Sequence, residues 1–501
     1  MQSPPQIIRH GLVLRPEEDS VDRKDILVID GRIAEVGQPG MAAPPDAILV
    51  DASDQLIHPG LVNGHTHGHG HYSRGLTDDI TLELILAAGP WFAGHRTHED
   101  KYLSTAIGAA EMVLKGCTAC YDMFMELPTP TLDGLTAAGQ AYTDIGMRAV
   151  IAPMVADYPF FRAIPGLYEA LPAPLQKEID GSGAPGGEDI LKRLAEIARA
   201  WPFAQDRIAL AMGPTIPLLC TDAFMKGCVS IAREHGLMIQ SHLSESKVQE
   251  IAAQRRYGMS LTAHLDRLDI LGPDLSAAHG VWLGDEDMAR LGDAGASVVL
   301  NTGSNMRLGS GLPHMRRLLD KGVNVGIGTD ASSCSDNQNM YEAMRLAAYV
   351  SHVYDNDYRQ WVSSQEAAQA ATEGSAQALG MPNIGKVAAG YYADLVFLDL
   401  SWIHYMPLRN ALNQFVQAED STGVLHVMID GKWVVRERKL VNFDLAHLRP
   451  KVRAAIDRID TLTATNRAVF RQMQPIVGTY CAGLACEAHH VHRFAGMPGR
   501  E

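Results

Sequence analysis

The stretch that decides the fold is residues 56–71, which read LIHPGLVNGHTHGHGH. It begins as an apolar run and ends in polar residues, as a buried strand does where it reaches the edge of a sheet. Side chains alternate along a strand, so His65 and His67 point to the same face. Two imidazoles on one face can bind one cation together. An isolated pair of histidines with this spacing is about as often simply hydrogen-bonded as it is metal-binding. The rest of the chain must therefore decide between these two roles.

Seven further apolar runs follow, most of them separated by segments of helical length. These runs cover residues 117–122, 147–155, 207–215, 237–245, 275–283, 296–305 and 323–331. Strand and helix alternating eight times predict an α/β fold, a parallel (β/α)8 barrel of the TIM type. In such barrels the catalytic residues lie at the C-terminal ends of the strands.

The two ends of the chain have a different pattern. Residues 25–37 contain an Asp-Gly turn between two apolar runs, which predicts a β-hairpin, and a similar pattern returns at 424–440. We expect both ends to form one small β-sandwich domain around the barrel. The predicted domains are the first part of the sandwich at 1–57, the barrel at 58–385, the second part of the sandwich at 386–445, and a helix with a tail at 446–501.

Composition limits the function. The 501-residue chain has 46% hydrophobic residues and a formal net charge of −15, which argues against binding to nucleic acid. No secretory signal and no apolar run of membrane-spanning length is visible. Seven cysteines, an odd number, do not suggest a disulfide framework. We expect a cytoplasmic protein that acts on a small molecule and has no membrane partner.

Two polar residues close the fifth predicted strand, in the sequence IQSHLSES at 239–246. His242 would be a third nitrogen ligand at the same end of the barrel. Glu245 follows on the turn, where it could face a cation-bound water without binding the cation. The alternative for Glu245 is a role in capping the next helix.

The sixth and eighth predicted strands end in His279 and Asp330. His279 could be a further ligand or a hydrogen-bond donor to substrate, and Asp330 could be a ligand or a helix N-cap. Three neutral imidazoles and one carboxylate suit Zn²⁺, with Fe²⁺, Co²⁺ or Mn²⁺ also possible. The prediction is one divalent cation on His65, His67, His242 and Asp330, with an open position for water.

A long segment, 68–98, follows the first predicted strand and contains Trp91. Long loops at the C-terminal end of a barrel often contact substrate. Trp91 is therefore a candidate wall of the substrate pocket, and the alternative is a residue of the hydrophobic core.

Together these motifs resemble the amidohydrolase superfamily, in the branch of triazine hydrolases and of cytosine, guanine and S-adenosylhomocysteine deaminases. The resemblance extends over almost the whole chain and is specific for the superfamily rather than for a substrate. It is carried by PGLVNGHTH (59–67), HLSE (242–245), AHGVWL (278–283), NTGSNMRLGSG (301–311), GTDA (328–331) and GYYADLVFLDL (390–400).

The resemblance implies roles for particular residues. The four predicted ligands keep that role, while Glu245 and His279 become the acid–base and electrophilic partners of the reaction. Asp330 could also accept a proton from the attacking water. Asn305 resembles a position that lines the substrate site. A homo-oligomer is expected from the same resemblance.

The implied activity is metal-dependent hydrolysis at a carbon bonded to nitrogen, outside peptide bonds. Hydrolytic deamination of a small aminated N-heterocycle is the first expectation. The alternative is cleavage of an amide, phenylurea, carbamate or thiocarbamate, because residues 67–91, with the extra His69 and His71, also resemble such hydrolases. A remote alternative is a non-catalytic binding protein on the same barrel, against which the complete ligand set argues.

Overall fold

The computed structural model describes residues 4–181, 186–335 and 337–494. Its first strands belong to a sheet at the start of the chain. They are β1 (Gln6–Arg15), β2 (Ser20–Ile29), β3 (Arg32–Gly37), β4 (Ile48–Asp51) and β5 (Gln55–Pro59). β1 pairs antiparallel with β2 and parallel with β4 and β5. The predicted hairpin forms β2 and β3, and both residues of its Asp30-Gly31 turn have positive φ.

The eight-stranded parallel barrel follows, as predicted. Its strands are β6 (Leu61–Thr66), β7 (Cys117–Phe124), β8 (Arg148–Val155), β9 (Ile208–Pro214), β10 (Met238–Leu243), β11 (Leu275–His279), β12 (Ser297–Leu300) and β13 (Asn324–Ile327). Each strand pairs with the next along the chain. The ends of β13 and β6 meet where the backbone N–H of Asp330 donates to the carbonyl of His65 at 2.9 Å. This hydrogen bond links the two end strands of the nearly closed barrel beside the predicted ligands.

Helices connect the barrel strands on the outside and continue after them. They are α1 (Leu82–Ala87), α2 (Gly89–Ala93), α3 (His98–Leu114), α4 (Leu132–Ile145), α5 (Phe160–Ala163), α6 (Leu167–Ala170), α7 (Ala173–Asp180), α8 (Gly187–Ala200), α9 (Asp222–His235), α10 (Lys247–Tyr257), α11 (Leu261–Arg267), α12 (Asp285–Asp293), α13 (Thr302–Arg307), α14 (Met315–Asp320), α15 (Met340–Tyr354), α16 (Ser364–Gln369), α17 (Ser375–Ala378), α18 (Ala411–Gln417), α19 (Leu445–Leu462) and α20 (Ala464–Ala485). Within the described ranges, no helix is both long enough and apolar enough to cross a lipid bilayer.

The sheet of the first strands is completed by strands from the far end of the sequence. These are β14 (Leu395–Asp399), β15 (Val424–Ile429), β16 (Lys432–Arg436) and β17 (Lys439–Leu440). β14 pairs antiparallel with β5, so both chain ends form one nine-stranded sheet. The prediction that the two ends fold together is confirmed, while the exact domain bounds stay a prediction.

The first predicted barrel strand, at 56–67, is in fact two strands in different sheets. Its first residues belong to β5 of the end sheet and its last to β6 of the barrel, with Gly60 between them. A Cβ atom at Gly60 would lie 2.0 Å from Thr118 Oγ1, so only glycine fits where the chain crosses from one sheet to the other. A continuous apolar run cannot reveal such a division, because both strands are buried.

The C-terminal region also differs from the single helix expected there. It forms two helices, α19 and α20, which meet at Thr463. Beyond them, the guanidinium of Arg493 donates to the carbonyls of Val281 and Leu283, both at 2.7 Å. The tail is thereby attached to the segment that follows His279, and residues 495–501 of the tail lie outside the described residues.

Candidate active site

The predicted ligands lie together at the C-terminal end of the barrel. His65 is on β6 with His67 just beyond it, His242 is on β10, and Asp330 follows β13. All four side chains are buried. The ring centroids of His65, His67 and His242 are 4.7–5.3 Å from one another. Strands far apart in the sequence therefore bring these side chains to one point.

A glutamine orients the first histidine. The Nδ1 of His65 is 2.8 Å from Oε1 of Gln240. The amide nitrogen of Gln240 donates to the carbonyl of Gly64 at 3.0 Å, which turns its oxygen towards the imidazole. His65 must then donate through Nδ1, and its Nε2 keeps a free lone pair.

Backbone carbonyls orient the other two histidines in the same way. His67 Nδ1 is 2.6 Å from the carbonyl of Met123, and His242 Nδ1 is 2.5 Å from that of Thr215. A carbonyl only accepts, so both rings carry their proton on Nδ1. Their Nε2 atoms are 3.3 Å apart. Hydrogen bonding of the distal nitrogen is the usual arrangement for histidines that bind a metal through the other one.

Asp330 completes this group. Its Oδ1 is 3.2 Å from His67 Nε2 and 3.6 Å from His65 Nε2, while Oδ2 accepts from Ser304 Oγ at 2.6 Å. Burial opposes ionisation of Asp330, but the imidazoles of His65, His67 and His279 around the carboxylate outweigh it and hold its pKa well below the usual value. The N-cap alternative does not apply, because the next described helix, α15, is capped by Asn339.

The donor set fits one divalent cation. The ligand atoms of His65, His67 and His242 lie within 4.8 Å of one another. In the described part of the chain, His65 Nε2 is buried and has no hydrogen-bond partner. Burial lowers the pKa of His65 and of His242, which favours the neutral imidazole that binds metals, whereas Asp330 outweighs burial at His67 and raises its pKa. Nitrogen donors with one carboxylate are the ligands that Zn²⁺ prefers.

Replacing Gln240 with leucine is expected to weaken divalent-metal affinity by about 10–100-fold, because His65 loses the acceptor that fixes its ring. The affinity can be measured by competition with a chromophoric chelator. Exposed Gln254 on α10 gives a matched control, since Gln254→Leu removes no contact with a ligand. Unchanged affinity in Gln240→Leu would refute the orienting role.

Glu245 and His279 face each other beside this group. Glu245 Oε2 and His279 Nε2 are 3.5 Å apart, and among the described residues neither atom has a hydrogen-bond partner. The amide nitrogen of Asn305 donates to His279 Nδ1 at 3.0 Å, which places the imidazole proton on Nε2. His279 is therefore arranged as a donor, unlike the three histidines of the ligand group. Asn305, predicted to line the substrate site, lies directly behind it.

The turn that carries Glu245 is held by its neighbours. Ser244 has a φ of +52° and donates to Glu250 Oε1 at 2.6 Å, and the backbone N–H of Glu245 donates to Gln249 Oε1 at 2.9 Å. Ser246, rather than Glu245, caps α10. The carboxyl of Glu245 is thus left free of a structural role.

Burial raises the pKa of Glu245 well above its usual value, and the charges of Asp330 and Glu83 add to the rise. This rise favours the protonated carboxyl, which can give up a proton.

Stability should also depend on the buried carboxyl of Glu250. Burial raises its pKa to about 8 against the ordinary 4.5, with Asp287 adding to the rise and the hydrogen bond from Ser244 opposing it. The native state keeps this proton while the unfolded state loses it. Stability should therefore fall as pH rises from about 4.5 to about 8, by at most about 1.4 kcal/mol per pH unit.

The variant Glu250→Gln should remove that dependence and be more stable than the parent at pH 8. Denaturant unfolding at pH 5, 6, 7 and 8 measures the difference. Glu234→Gln, at an exposed position of α9, is the control and should keep the parent's profile. A Glu250→Gln profile parallel to the parent's would contradict the assignment.

Trp91 packs against other aromatic side chains and a guanidinium group. Its ring lies 4.9 Å from Phe92 and 5.5 Å from Phe470 of α20, and the guanidinium of Arg467 is 5.1 Å from its centroid. The segment 68–98 is also less irregular than a loop, since it contains α1 and α2. A contact between Trp91 and substrate stays a prediction.

The structure assigns His71 to packing. Its Nδ1 is 2.8 Å from Ser332 Oγ. Its Nε2 lies against Gly108 of α3, where an added Cβ atom would be only 1.8 Å away. This ring therefore fills a niche that only glycine leaves open.

Sequence reasoning missed the residues that orient the ligands. Gln240 could have been found, because it lies two residues before His242 on the same strand and so shares its face. Ser304, which binds Asp330, and the carbonyls of Met123 and Thr215 carry no signal of their own in the sequence.

Comparison with known proteins agrees with this geometry. Residues 56–434 match the sequence profile of the Amidohydrolase family. A 5-methylthioadenosine/S-adenosylhomocysteine deaminase of Thermococcus onnurineus is 30% identical over 439 residues, which cover 87% of this chain and 95% of that protein. A 5'-deoxyadenosine deaminase of Methanothermobacter thermautotrophicus is 31% identical over 422 residues, which cover 84% of this chain and 91% of that protein.

Solved structures show the same relationship. An adenosine deaminase from Xanthomonas campestris with bound zinc superposes with a TM-score of 0.80 at 27% identity, covering 91% of this chain and 100% of that one. A triazine hydrolase from Arthrobacter aurescens gives a TM-score of 0.81 at 21% identity, and the match covers 91% of this chain and 100% of that one. At that identity the second match supports the fold alone.

Proposed function

Since the chain belongs to the amidohydrolase family and is a hydrolase of carbon–nitrogen bonds, we propose that it removes the amino group from a small aminated N-heterocycle by hydrolysis. The three deaminases named above carry names that refer to adenosine and its 5'-modified forms, so an adenosine-type nucleoside is the first substrate to test. The observation that carries the proposal is the pair of unpartnered buried atoms, Glu245 Oε2 and His279 Nε2, 3.5 Å apart beside the ligand group.

The proposed cofactor is one divalent cation, with zinc first, bound by His65, His67, His242 and Asp330. When bound, it supplies Lewis-acid chemistry that makes water a nucleophile near neutral pH. The three imidazole nitrogens and the carboxylate described above support this choice.

Each residue then has a separate task at the reacting carbon. Glu245 in its protonated form, which burial favours, donates its proton from the carboxyl to the ring nitrogen next to the amino group. His279 donates from Nε2 to the oxygen that attacks, which stabilises the charge developing there. Asp330 Oδ2 shares one lone pair with Ser304 and can accept a proton from the attacking water through the other. The amino group takes that proton and leaves as ammonia when its bond to the carbon breaks, while the hydroxyl proton of the product returns to the Glu245 carboxylate.

Burial makes these donors effective. Glu245 and His279 are each no more than 1% exposed, so water does not compete for their hydrogen bonds. Donors fixed in such a site stabilise developing charge more strongly than the same groups do in water.

The decisive experiment loads the protein separately with Zn²⁺, Co²⁺ and Mn²⁺ and offers adenosine-type nucleosides, aminopyrimidines, aminotriazines, phenylureas and thiocarbamates. We expect ammonia release from at least one aminated heterocycle, with the deaminated product identified by mass spectrometry. Amine release from a urea or thiocarbamate, with no ammonia from any heterocycle, would instead establish the amidase alternative.

The proposal also includes the cellular location and the oligomeric state of the enzyme. We propose a cytoplasmic homo-oligomer, because all seven cysteines are free and several large apolar side chains are exposed between residues 402 and 408. Light scattering after gel filtration measures the subunit number. A monomer at micromolar concentration would contradict the oligomer.

A further inference from the structure

His69 lies two residues after the ligand His67, in a short helical turn at Gly68–Ser73. Its ring packs edge-on against His67, at 5.3 Å between centroids, and against Phe124, at 5.7 Å. Unlike the ligand histidines, which are buried, His69 is half-buried. It is therefore an imidazole at the edge of the ligand group that still meets accessible space.

A backbone hydrogen bond fixes the proton of this imidazole. The N–H of Met125, just beyond the end of β7, donates to His69 Nδ1 at 3.0 Å. An N–H cannot accept, so Nδ1 must carry a lone pair and the ring proton must be on Nε2. His69 thus has the opposite tautomer to His67, which donates through Nδ1.

The proton on Nε2 has no acceptor among the residues that the structure describes. His71, on the same turn, differs because its Nε2 is enclosed against Gly108. The Nδ1 edge of His69 is covered by Met125, which leaves the Nε2 edge as the polar part of the ring that can meet a ligand. The protein thus holds an oriented donor next to the cation ligands without using it itself.

We propose that His69 Nε2–H is a specificity-determining hydrogen-bond donor to the substrate. It comes from the first-strand side of the site, whereas Glu245 and His279 come from the fifth and sixth strands. Two donors on different sides suit a heterocycle with acceptors on both sides of the amino-bearing carbon. One is the ring nitrogen that meets Glu245, and the other meets His69.

A 6-aminopurine has this pattern, because its N7 is an acceptor that flanks the amino group on the edge away from N1. The inference rests on the proposed deamination and narrows its substrates to heterocycles with such a second acceptor.

The test compares an adenosine-type substrate with its 7-deaza analogue, in which a C–H replaces N7. For the parent enzyme, kcat/KM should be about tenfold higher on the purine, as expected for one neutral hydrogen bond. His69→Phe should lose about tenfold on the purine and change little on the 7-deaza analogue. His69→Gln, which keeps an N–H near the position of Nε2, should recover part of the loss.

Two controls separate this role from others. Metal content by elemental analysis should be the same in the parent and in both variants, because His69 is not a ligand. His98→Phe, at the exposed start of α3, should leave both substrates unaffected.

An equal loss on both substrates, or a loss of metal in His69→Phe, would overturn the role of His69 and leave the deaminase proposal standing. A parent enzyme that releases no ammonia from any aminated heterocycle would overturn the deaminase proposal, and the role of His69 with it.

Discussion

Replacing Glu245 with glutamine is expected to lower kcat by about 10²–10⁴-fold while metal content stays unchanged. The amide fills the same buried space but cannot release a proton as a protonated carboxyl can. Because Glu245 Oε2 lies beside His279 and outside the ligand group, the cation should be retained. Steady-state ammonia release and elemental analysis on the same preparation measure both quantities.

Glu234→Gln at an exposed position of α9 is the matched control for this change and should keep the parent's turnover. Turnover in Glu245→Gln within a factor of a few of the parent would remove this carboxyl from the mechanism. Loss of metal would instead show that Glu245 supports the ligand group.

The second large effect is expected at Arg148, where the barrel meets the end sheet. This fully buried side chain on β8 donates through Nε to Asp394 at 2.7 Å and through Nη1 to the carbonyl of Asp206 at 2.7 Å, and it stacks 4.0 Å from the ring of Tyr392. Arg148→Met should destabilise the protein by about 3–5 kcal/mol, because Asp394 is left buried without its cation.

Denaturant and thermal unfolding measure this loss. Arg317→Met is the control, since its ion pair with Asp285 is exposed on both sides and should be worth about 0–1 kcal/mol. The double variant Arg148→Met/Asp394→Leu should recover part of the stability, because no unpaired charge remains. A single variant as stable as the control would mean that solvent reaches Asp394.

The fold could be predicted because its signals are local and repeated. Each barrel strand is an apolar run followed by helix-length sequence, and the Asp30-Gly31 turn specifies a hairpin by its backbone requirement alone. The features that were predicted wrongly depend on tertiary contacts. The crossing at Gly60 is set by the proximity of Thr118, and the break at Thr463 divides a pattern that reads as one helix.

The same distinction applies to the site. The convergence of His65, His67, His242 and Asp330 could be predicted because all four are polar residues at the ends of predicted strands, and these ends meet once the barrel is assumed. The proton positions could not, since they depend on partners such as Gln240 for His65 and Asn305 for His279. The donor role of His69 likewise depends on a backbone N–H that any residue at position 125 except proline would supply.

The pairing of β5 with β14 has a consequence for how the chain is made. β5 leaves the ribosome early, while β14 is synthesised only after the whole barrel, so at about 5–20 residues per second the interval is on the order of tens of seconds. Throughout that time one side of β5 exposes unpaired backbone groups, which can pair with another nascent chain. The edge of β5 is therefore covered only once the last part of the sheet has been made.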